Sequence, residues 1–331
     1  PDLMPADVTG TQVLDDIRIW TQLQAGDGAG RALAWFRPGD NAMEEIQLET
    51  SPGGTLEAPY PAIGLARDGR SIYAAYRDTG LGRVRVSEID VDTATEIQSL
   101  VLSPPSSPTT APVGLRTGPL GVYLFVSCTS DAGDTLNRIS LSRWEEDDVG
   151  AEEGLNGQAL ELGGGPLTGW GSQVFIGPRA SATSHVSAVV PSTGGSRVTE
   201  GDSEIVGAPT DTILTVDGRW MVQALSGYEG LGGLVRRIRT TLLNPTSEPV
   251  IPDTGAGNPI PTKVTALANY RTALRFVALL DNAALTTFQW DLEGLVQDDL
   301  NPALNGVQGV DISDLAPEPV YATWVSGVYL R

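Results

Sequence analysis

Three carboxylates on one predicted turn are the residues in this chain best suited to binding a metal ion. Asp90, Asp92 and Glu96 follow one another with the spacing Asp-x-Asp-x-x-x-Glu, and Ca²⁺ accepts such hard oxygen ligands. The spacing differs from that of an EF-hand loop, which requires a Gly at the sixth position and a Glu at the twelfth. A charged turn that is simply solvated is the alternative interpretation. A calcium ion is therefore the one cofactor that the residues suggest.

The chain contains one Cys and one His, and these counts exclude internal disulfides and much of nucleophilic and metal-dependent catalysis. Cys128 lies in a strand-like run without a neighbouring His to lower its thiol pKa, so we predict a buried, inert thiol. A Ser-His-Asp triad would have to use His185, and no Ser stands in a Gly-x-Ser-x-Gly elbow. Zinc, copper or non-haem iron sites that need several imidazoles cannot be built. The sequence therefore favours a protein without catalysis.

Carboxylate chemistry is the catalytic route that survives these exclusions. The chain has 41 Asp and Glu residues, and two carboxylates about 5–10 Å apart can hydrolyse a glycoside. Arg67 and Arg116 each follow an apolar, strand-like run, and we consider them for binding an anion near the centre of the fold. The alternative for both is an ion pair at the surface or between sheets. A glycoside hydrolase or lyase is therefore the enzyme hypothesis.

Two aromatic residues in Gly-rich segments are candidates for binding a partner. Trp170 stands in the segment TGWGSQ and Tyr228 in SGYEGLGG. Exposed aromatic side chains on loops anchor protein partners or stack on sugar rings. The alternative is that both side chains cover the edge of a sheet.

The charge balance narrows the class of partner. The net charge is 21 − 41 = −20, which disfavours nucleic acid and anionic membranes and favours a basic partner or divalent cations. No stretch approaches the roughly 18 continuous apolar residues of a membrane span, so no membrane insertion is expected. The abrupt start and the Thr/Ser/Pro-rich segments predict an exported protein, with a leader removed, that is extracellular, periplasmic or at the cell surface.

The elements that position these residues repeat along the chain. Units begin near positions 58, 111, 166, 208, 258 and 316, each of them marked by a Pro. An apolar strand, a turn and a second strand follow each start. The second strands are predicted at 71–77, 121–128, 184–190, 219–225, 274–280 and 327–331. Half-polar third strands are predicted at 83–91, 136–144 and 234–243, and shorter fourth strands at 95–102 and 157–163.

Four strands per unit, with the last one the most polar, resemble the blade of a β-propeller. The resemblance covers the whole chain as one domain and matches no specific family, because WD repeats and sialidase Asp-boxes are missing. It implies an all-β, six-bladed β-propeller whose last blade combines strands from both termini. The predicted blades are 316–331 plus 10–57, 58–110, 111–165, 166–207, 208–257 and 258–315. Seven blades are the alternative if 320–325 and 327–331 lie in different sheets.

A four-stranded meander sorts its turns between two faces. The first-to-second and third-to-fourth turns lie on one face, where the third-to-fourth turns are acidic. The other face collects neutral segments, among them 103–112, 163–171 and 251–261. Long loops in compact domains are often functional. We therefore expect a binding or scaffolding module that recognises a protein partner through these loops, with a carbohydrate-binding lectin and the glycoside hydrolase or lyase as alternatives.

Overall fold

The structure is a computed structural model, and it describes mainly the strands and the segments between them. The described residues are 17–25, 31–36, 44–58, 62–66, 70–103, 109–117, 121–131, 133–146, 158–159, 167–170, 173–176, 187–190, 195–198, 208–214, 220–226, 233–239, 249–250, 264–269, 275–280, 285–290, 295–297 and 320–330. Within these ranges the regular elements are β-strands and no helix occurs. Consequently, the described part contains no helix that is long and apolar enough to cross a membrane.

The described residues form twenty-six strands. In chain order they are β1 (Ile17–Ala25), β2 (Arg31–Phe36), β3 (Glu44–Gln47), β4 (Leu56–Glu57), β5 (Ile63–Leu65), β6 (Ser71–Asp78), β7 (Arg83–Asp90), β8 (Thr95–Val101), β9 (Ala111–Thr117), β10 (Tyr123–Thr129), β11 (Thr135–Ser140), β12 (Glu145–Glu146), β13 (Gln158–Ala159), β14 (Leu167–Trp170), β15 (Gln173–Ile176), β16 (Ser187–Val190), β17 (Gly195–Val198), β18 (Ala208–Leu214), β19 (Trp220–Ser226), β20 (Gly233–Arg239), β21 (Pro249–Val250), β22 (Val264–Asn269), β23 (Arg275–Leu280), β24 (Leu285–Trp290), β25 (Leu295–Gln297) and β26 (Val320–Leu330).

These strands form six antiparallel sheets within the described part of the chain. Sheet 1 has the order β26-β1-β2-β3. In sheet 2, β4 and β5 both pair with β6, and β7 and β8 follow. Sheet 3 has the order β9-β10-β11-β12, with β13 also pairing with β11. Sheets 4, 5 and 6 are the meanders β14 to β17, β18 to β21 and β22 to β25.

Sheets 1, 2 and 3 are packed face to face, since alternate side chains of β6 enter two different cores. In β6, every position from Ser71 to Tyr76 is buried, as expected for a strand with a neighbouring sheet on each side. One buried cluster joins sheets 1 and 2 and includes Trp20, Leu33, Ile72 and Tyr76. The other joins sheets 2 and 3 and includes Tyr73, Ala75, Leu115 and Leu124.

The first strands of the sheets, called here the central strands, contact one another in turn. They are β5, β9, β14, β18, β22 and β26, and β26 in turn contacts β5. Gly64 in β5 shows how close the approach is. A Cβ atom there would lie 3.0 Å from a side-chain carbon of Leu115 in β9. The central strands therefore pack almost backbone to backbone at this point.

The two ends of the described chain meet in sheet 1. β26 pairs with β1 over most of its length, from Ile17 opposite Leu330 to Ala25 opposite Val320, with two register irregularities. Residues 320–325 and 327–330 therefore lie in a single strand, and the condition stated for a seven-bladed alternative is not met.

Two strand assignments made from the sequence are wrong. The segment 184–190 was expected to supply a second strand, but β16 is the third strand of its sheet and the short β15 is the second. The segment 327–331 was also expected as a second strand, but residues 327–330 belong to β26, the first strand of sheet 1. In both cases the apolar run indicated a strand correctly but not its place in the sheet.

The third-to-fourth hairpins of sheets 2 and 3 have the same construction, fifty positions apart. Ala94 and Trp144 both adopt positive φ, and their N–H groups donate to the carbonyls of Asp90 and Ser140. The next residue but one in each hairpin is a glutamate. Glu96 lies opposite Ile89 and Glu146 opposite Ile139, so these glutamates occupy equivalent positions.

Each of these glutamates binds the segment that leaves the preceding sheet. The carboxylate of Glu96 accepts a hydrogen bond of 2.7 Å from the backbone N–H of Glu49. The carboxylate of Glu146 accepts the backbone N–H of Ser103 at 3.0 Å and also its hydroxyl. The outer edges of neighbouring sheets are thereby joined by a repeated contact, which we call the rim latch.

Candidate functional site

One arginine joins the central strands of three sheets. Arg116 lies in β9, and its Nη2 donates to Oδ1 of Asp211 in β18 at 3.0 Å and to the carbonyl of Thr212 at 3.1 Å. Its Nη1 donates to the carbonyls of Ile63 in β5 at 2.8 Å and of Leu115 at 2.9 Å. Sheets 2, 3 and 5 are thus connected by one guanidinium group. We call this arrangement the central bridge.

A β-bulge places the acidic partner of the central bridge. The register of β18 shifts between Pro209 and Asp211, so that Thr210 is an extra residue. Bulges re-aim the side chains that follow them. The equivalent shift in β9 comes just before Gly114, and β22 has one just before Ala266. Of these three bulge-following residues, only Asp211 carries a charge.

The acidic side of the central bridge is buried and the arginine is partly buried. The side chain of Asp211 is 3% exposed and that of Arg116 is 16% exposed, and Thr212 is fully buried. Asp211 Oδ1 also accepts the backbone N–H of Thr212 at 2.8 Å. Removing one partner of a buried pair leaves a costly uncompensated charge. The arginine predicted as an anion-binding residue therefore binds an anion supplied by its own chain.

The sequence also predicted Arg67, Trp170 and Tyr228 as binding residues. Arg67 and Tyr228 lie outside the described residues. Trp170 is the last residue of β14 and lies opposite Gln173, so it ends a first strand. From the sequence, Trp170 was expected in a connecting segment on the neutral face, and this expectation is wrong. Trp170 lies beside the first-to-second turn, which in a four-stranded meander is at the same end of the sheet as the third-to-fourth turn. Within the segment 163–171, which was expected to be a connection, residues 167–170 form the strand β14.

The three predicted calcium ligands make separate contacts. Asp90 Oδ1 accepts the N–H of Thr93 at 2.7 Å and its hydroxyl at 2.9 Å, and these hydrogen bonds lower the pKa of Asp90. Asp92 is exposed. Glu96 binds Ser87 and the N–H of Glu49. The described residues contain no group of three acidic, His or Cys side chains close enough to hold a metal ion. Calcium binding and a simply solvated turn were the two alternatives from the sequence, and the choice between them stays a prediction.

A buried carboxylate that the sequence analysis missed lies at the end of β6. Asp78 is fully buried and accepts the backbone N–H of Ser51 at 2.9 Å as well as the Ser51 hydroxyl. Arg85 lies 3.3 Å from the same carboxylate and 3.1 Å from Glu49. Burial alone would raise the pKa of Asp78, but the hydrogen bonds from Ser51 and the charge of Arg85 together lower it.

The Asp78 network is structural, because each polar group in it is satisfied within the protein. Asp78 Oδ1 also accepts the N–H of Gly80 at 3.1 Å, inside the turn between β6 and β7. The network ties the segment that follows β3 to sheet 2. The sequence signal was present, since Asp-Thr-Gly marks a turn, but the partner Ser51 lies 27 residues away.

The predicted burial of the thiol is confirmed, and its inertness stays a prediction. Cys128 is a free, fully buried residue of β10. Burial raises its pKa to about 12, even though Asn137 hydrogen-bonds the sulfur. A thiol that keeps its proton near neutral pH is not a nucleophile.

Comparisons with known proteins give a fold and no family. No protein-family model matches the chain, and no curated protein matches it in sequence. TolB from Acinetobacter baumannii is 11% identical, with a TM-score of 0.56 over 95% of this chain and 67% of TolB. Hydrazine synthase from Kuenenia stuttgartiensis is 14% identical, with a TM-score of 0.50 over 99% of this chain and 91% of that one.

A third similar structure is the periplasmic gluconolactonase of Pseudomonas aeruginosa. It is 15% identical, with a TM-score of 0.50 over 84% of this chain and 79% of the gluconolactonase. The fold is propeller-like. Identities this low show the fold alone, since one fold hosts many functions.

Proposed function

We propose that this chain is a six-bladed β-propeller that works as a non-catalytic binding or scaffolding module for a protein partner. The blade count is supported by the six described sheets and by the contacts of their central strands in turn. Closure through both termini is supported by the pairing of β26 with β1. In this proposal the chain is one domain, with sheet 1 built from its two ends.

The central bridge is the observation that carries the proposal. A glycoside hydrolase or lyase would need clustered acids and an available arginine near the centre of the sheets. In the described part, the central Asp211 and Arg116 bind each other, and Asp211 is buried while Arg116 is partly buried. Charge that faces solvent lies instead on the hairpins, where Asp92 and Glu145 are exposed.

The surface favours a protein partner with a basic binding region. The net charge of −20 attracts a positive surface and repels nucleic acid and anionic lipid. Acidic side chains lie on the end of the sheets that holds the third-to-fourth hairpins, and Trp170 ends a strand at the same end of its sheet. A glycan recognised through Trp170 and Tyr228 is the second ligand class in the proposal.

An exported protein is the proposed setting. One structurally similar protein is periplasmic by name, and this agrees with the Ser/Thr/Pro-rich composition of the connecting segments. We propose a periplasmic, extracellular or cell-surface location on these grounds.

The test is partner capture followed by a direct binding measurement with matched variants. The immobilised chain is exposed to native extract, the captured protein is purified, and its affinity is measured by calorimetry at two salt concentrations. Asp92→Lys reverses an exposed charge at a third-to-fourth hairpin, and Asp131→Lys makes the same change at the β10–β11 turn, on the other end of its sheet.

Weaker binding by Asp92→Lys with unchanged binding by Asp131→Lys supports the acidic hairpin surface. Equal losses of affinity in the two variants would mean that the partner is attracted by the overall negative charge and not by the acidic hairpin surface. A purified partner that fails to bind in calorimetry contradicts the protein-binding proposal.

A further inference from the structure

The guanidinium group of Arg116 is held in place by more than its acidic partner. Three backbone carbonyls accept its N–H groups, those of Ile63, Leu115 and Thr212, at 2.8–3.1 Å. These carbonyls come from three different sheets and fix the direction of the fork. Because these carbonyls do not depend on the carboxylate, we expect the guanidinium to keep its position when the Asp211 side chain is shortened.

A second donor is aimed at the same carboxylate oxygen. The backbone N–H of Thr212 donates to Asp211 Oδ1 at 2.8 Å, beside the 3.0 Å contact from Arg116. A guanidinium N–H and a backbone N–H that converge on one oxygen form a preorganised carboxylate receptor. The surroundings are polar and buried, since Thr210 and Thr212 are 6% and 0% exposed.

We infer that Arg116 and the Thr212 N–H form a carboxylate-binding site, which the chain fills with its own Asp211 and which accepts a free small carboxylate once that side chain is removed. In the natural chain the Asp211 carboxylate occupies the site, because it is covalently attached and its effective concentration far exceeds that of free ions. The central bridge is therefore a ligand-binding site that is occupied by a side chain of the same protein.

The experiment removes the internal ligand and supplies formate. Asp211→Ala removes one carboxylate group, which is the size of a formate ion, and leaves the partly buried guanidinium of Arg116 without its counter-charge. The melting temperature of this variant is measured in sodium formate and in sodium chloride at equal ionic strength. We expect formate to raise it above the chloride value, with a rise that grows with the logarithm of formate concentration, as for any ligand of the native state.

Three controls separate binding from general salt effects. The natural chain and Asp211→Asn, whose side chain still fills the space, are expected to respond equally to formate and chloride. The double variant Arg116→Met with Asp211→Ala has the cavity without the cation and is expected to show no formate response. A formate response in the double variant as large as in the single variant would overturn the inference.

The test also covers a variant that does not fold. If Asp211→Ala is unfolded in chloride, circular dichroism during refolding in formate must recover the strand signal of the natural chain. Failure of formate to restore that signal, or equal recovery in chloride, overturns the inference. A formate response in Asp211→Asn would do so too, because that side chain leaves no room for the ion.

Discussion

The carboxylate of Glu146 binds both the backbone N–H and the hydroxyl of Ser103, 43 residues earlier in the chain. Ser103 belongs to the segment that leaves β8, the outermost strand of the preceding sheet. Glu96 holds Glu49 in the equivalent way after β3. The outer strand of a sheet is an exposed edge, which proteins commonly cover or hold in place. Here a glutamate at the second position of the fourth strand binds the segment that leaves the preceding sheet.

The rim latch predicts a measurable loss of stability for Glu146→Gln. Replacing the charged acceptor by a neutral amide of the same size weakens two hydrogen bonds, and we expect a loss of about 1 kcal/mol in the free energy of unfolding. Urea denaturation monitored by tryptophan fluorescence measures it. The matched control is Glu145→Gln, since Glu145 forms only an exposed ion pair with Arg143 and should change stability by at most about 0.5 kcal/mol. Equal losses in both variants would contradict the latch.

Asp78 predicts a specific dependence of stability on acid. Its pKa is lowered in the folded state from the ordinary 3.8, so its contribution is fully present above that value. The contribution is lost as the pH falls through the lower folded pKa. Asp78→Asn should cost about 3 kcal/mol at neutral pH, and its deficit relative to the natural chain should shrink below pH 3.8.

The control for the acid dependence is Asp131→Asn, which changes an exposed aspartate. Its unfolding free energy should stay parallel to that of the natural chain over the same pH range. A deficit of Asp78→Asn that is constant from neutral to acidic pH would show that ionisation of Asp78 contributes nothing.

The central bridge predicts strong coupling between Arg116 and Asp211. Each single variant, Arg116→Met and Asp211→Asn, removes the ion pair and leaves the charge of the other residue uncompensated by it, at a cost of about 3 kcal/mol. The double variant removes both and should cost clearly less than the sum. A double-mutant cycle by chemical denaturation gives the coupling energy, and additive losses would show that the two residues act independently.

Arg116→Lys tests the geometry of the same bridge. Lysine keeps the charge but lacks the planar fork that reaches three carbonyls and a carboxylate. We expect it to recover less than half of the stability lost in Arg116→Met, measured in the same denaturation series. Full recovery would mean that only the charge matters.

Cys128 predicts an unreactive thiol in the native protein. Full burial raises its pKa to about 12, so almost no thiolate is present at pH 8. Ellman's reagent should therefore modify no cysteine in the folded chain and one in the chain unfolded by guanidinium. Rapid labelling of the folded chain would show that β10 opens readily.

The turn at Asp90 predicts the outcome of a calcium titration. Glu96 is used by the rim latch and one oxygen of Asp90 by Thr93, so these two groups have little left to offer a metal. We expect no saturable heat with millimolar Ca²⁺ in calorimetry. Saturable heat that disappears in Asp92→Asn would restore the calcium site.

The strands were predictable from the sequence because each apolar run carries its own local signal. Ser71–Asp78 and Trp220–Ser226 follow Asp-Gly pairs in the sequence and were expected within one residue. Sheet 4 was misread because its second strand, Gln173–Ile176, has only four residues. A short strand between Gly-rich segments gives a weak pattern, whereas the longer run before Val190 resembled the second strands of other sheets.

The site was harder to predict because its residues meet only in three dimensions. Arg116 was singled out near the centre of the fold, but its partner Asp211 is 95 residues away, and no periodicity links the two positions. A bulge, which shifts one strand by a residue, decides that Asp211 faces the arginine. Bulges depend on the pairing of whole strands, and a single sequence does not show them.

The pairing of β26 with β1 has a consequence for how the protein is made. β26, which completes the sheet of β1, is translated nearly three hundred residues after β1, as the partners Ala25 and Val320 show. Long-range pairing of this kind slows folding, because the chain entropy is lost before the contact is gained. Until β26 has been translated, the nascent chain therefore carries an unfinished sheet with an unpaired edge on β1.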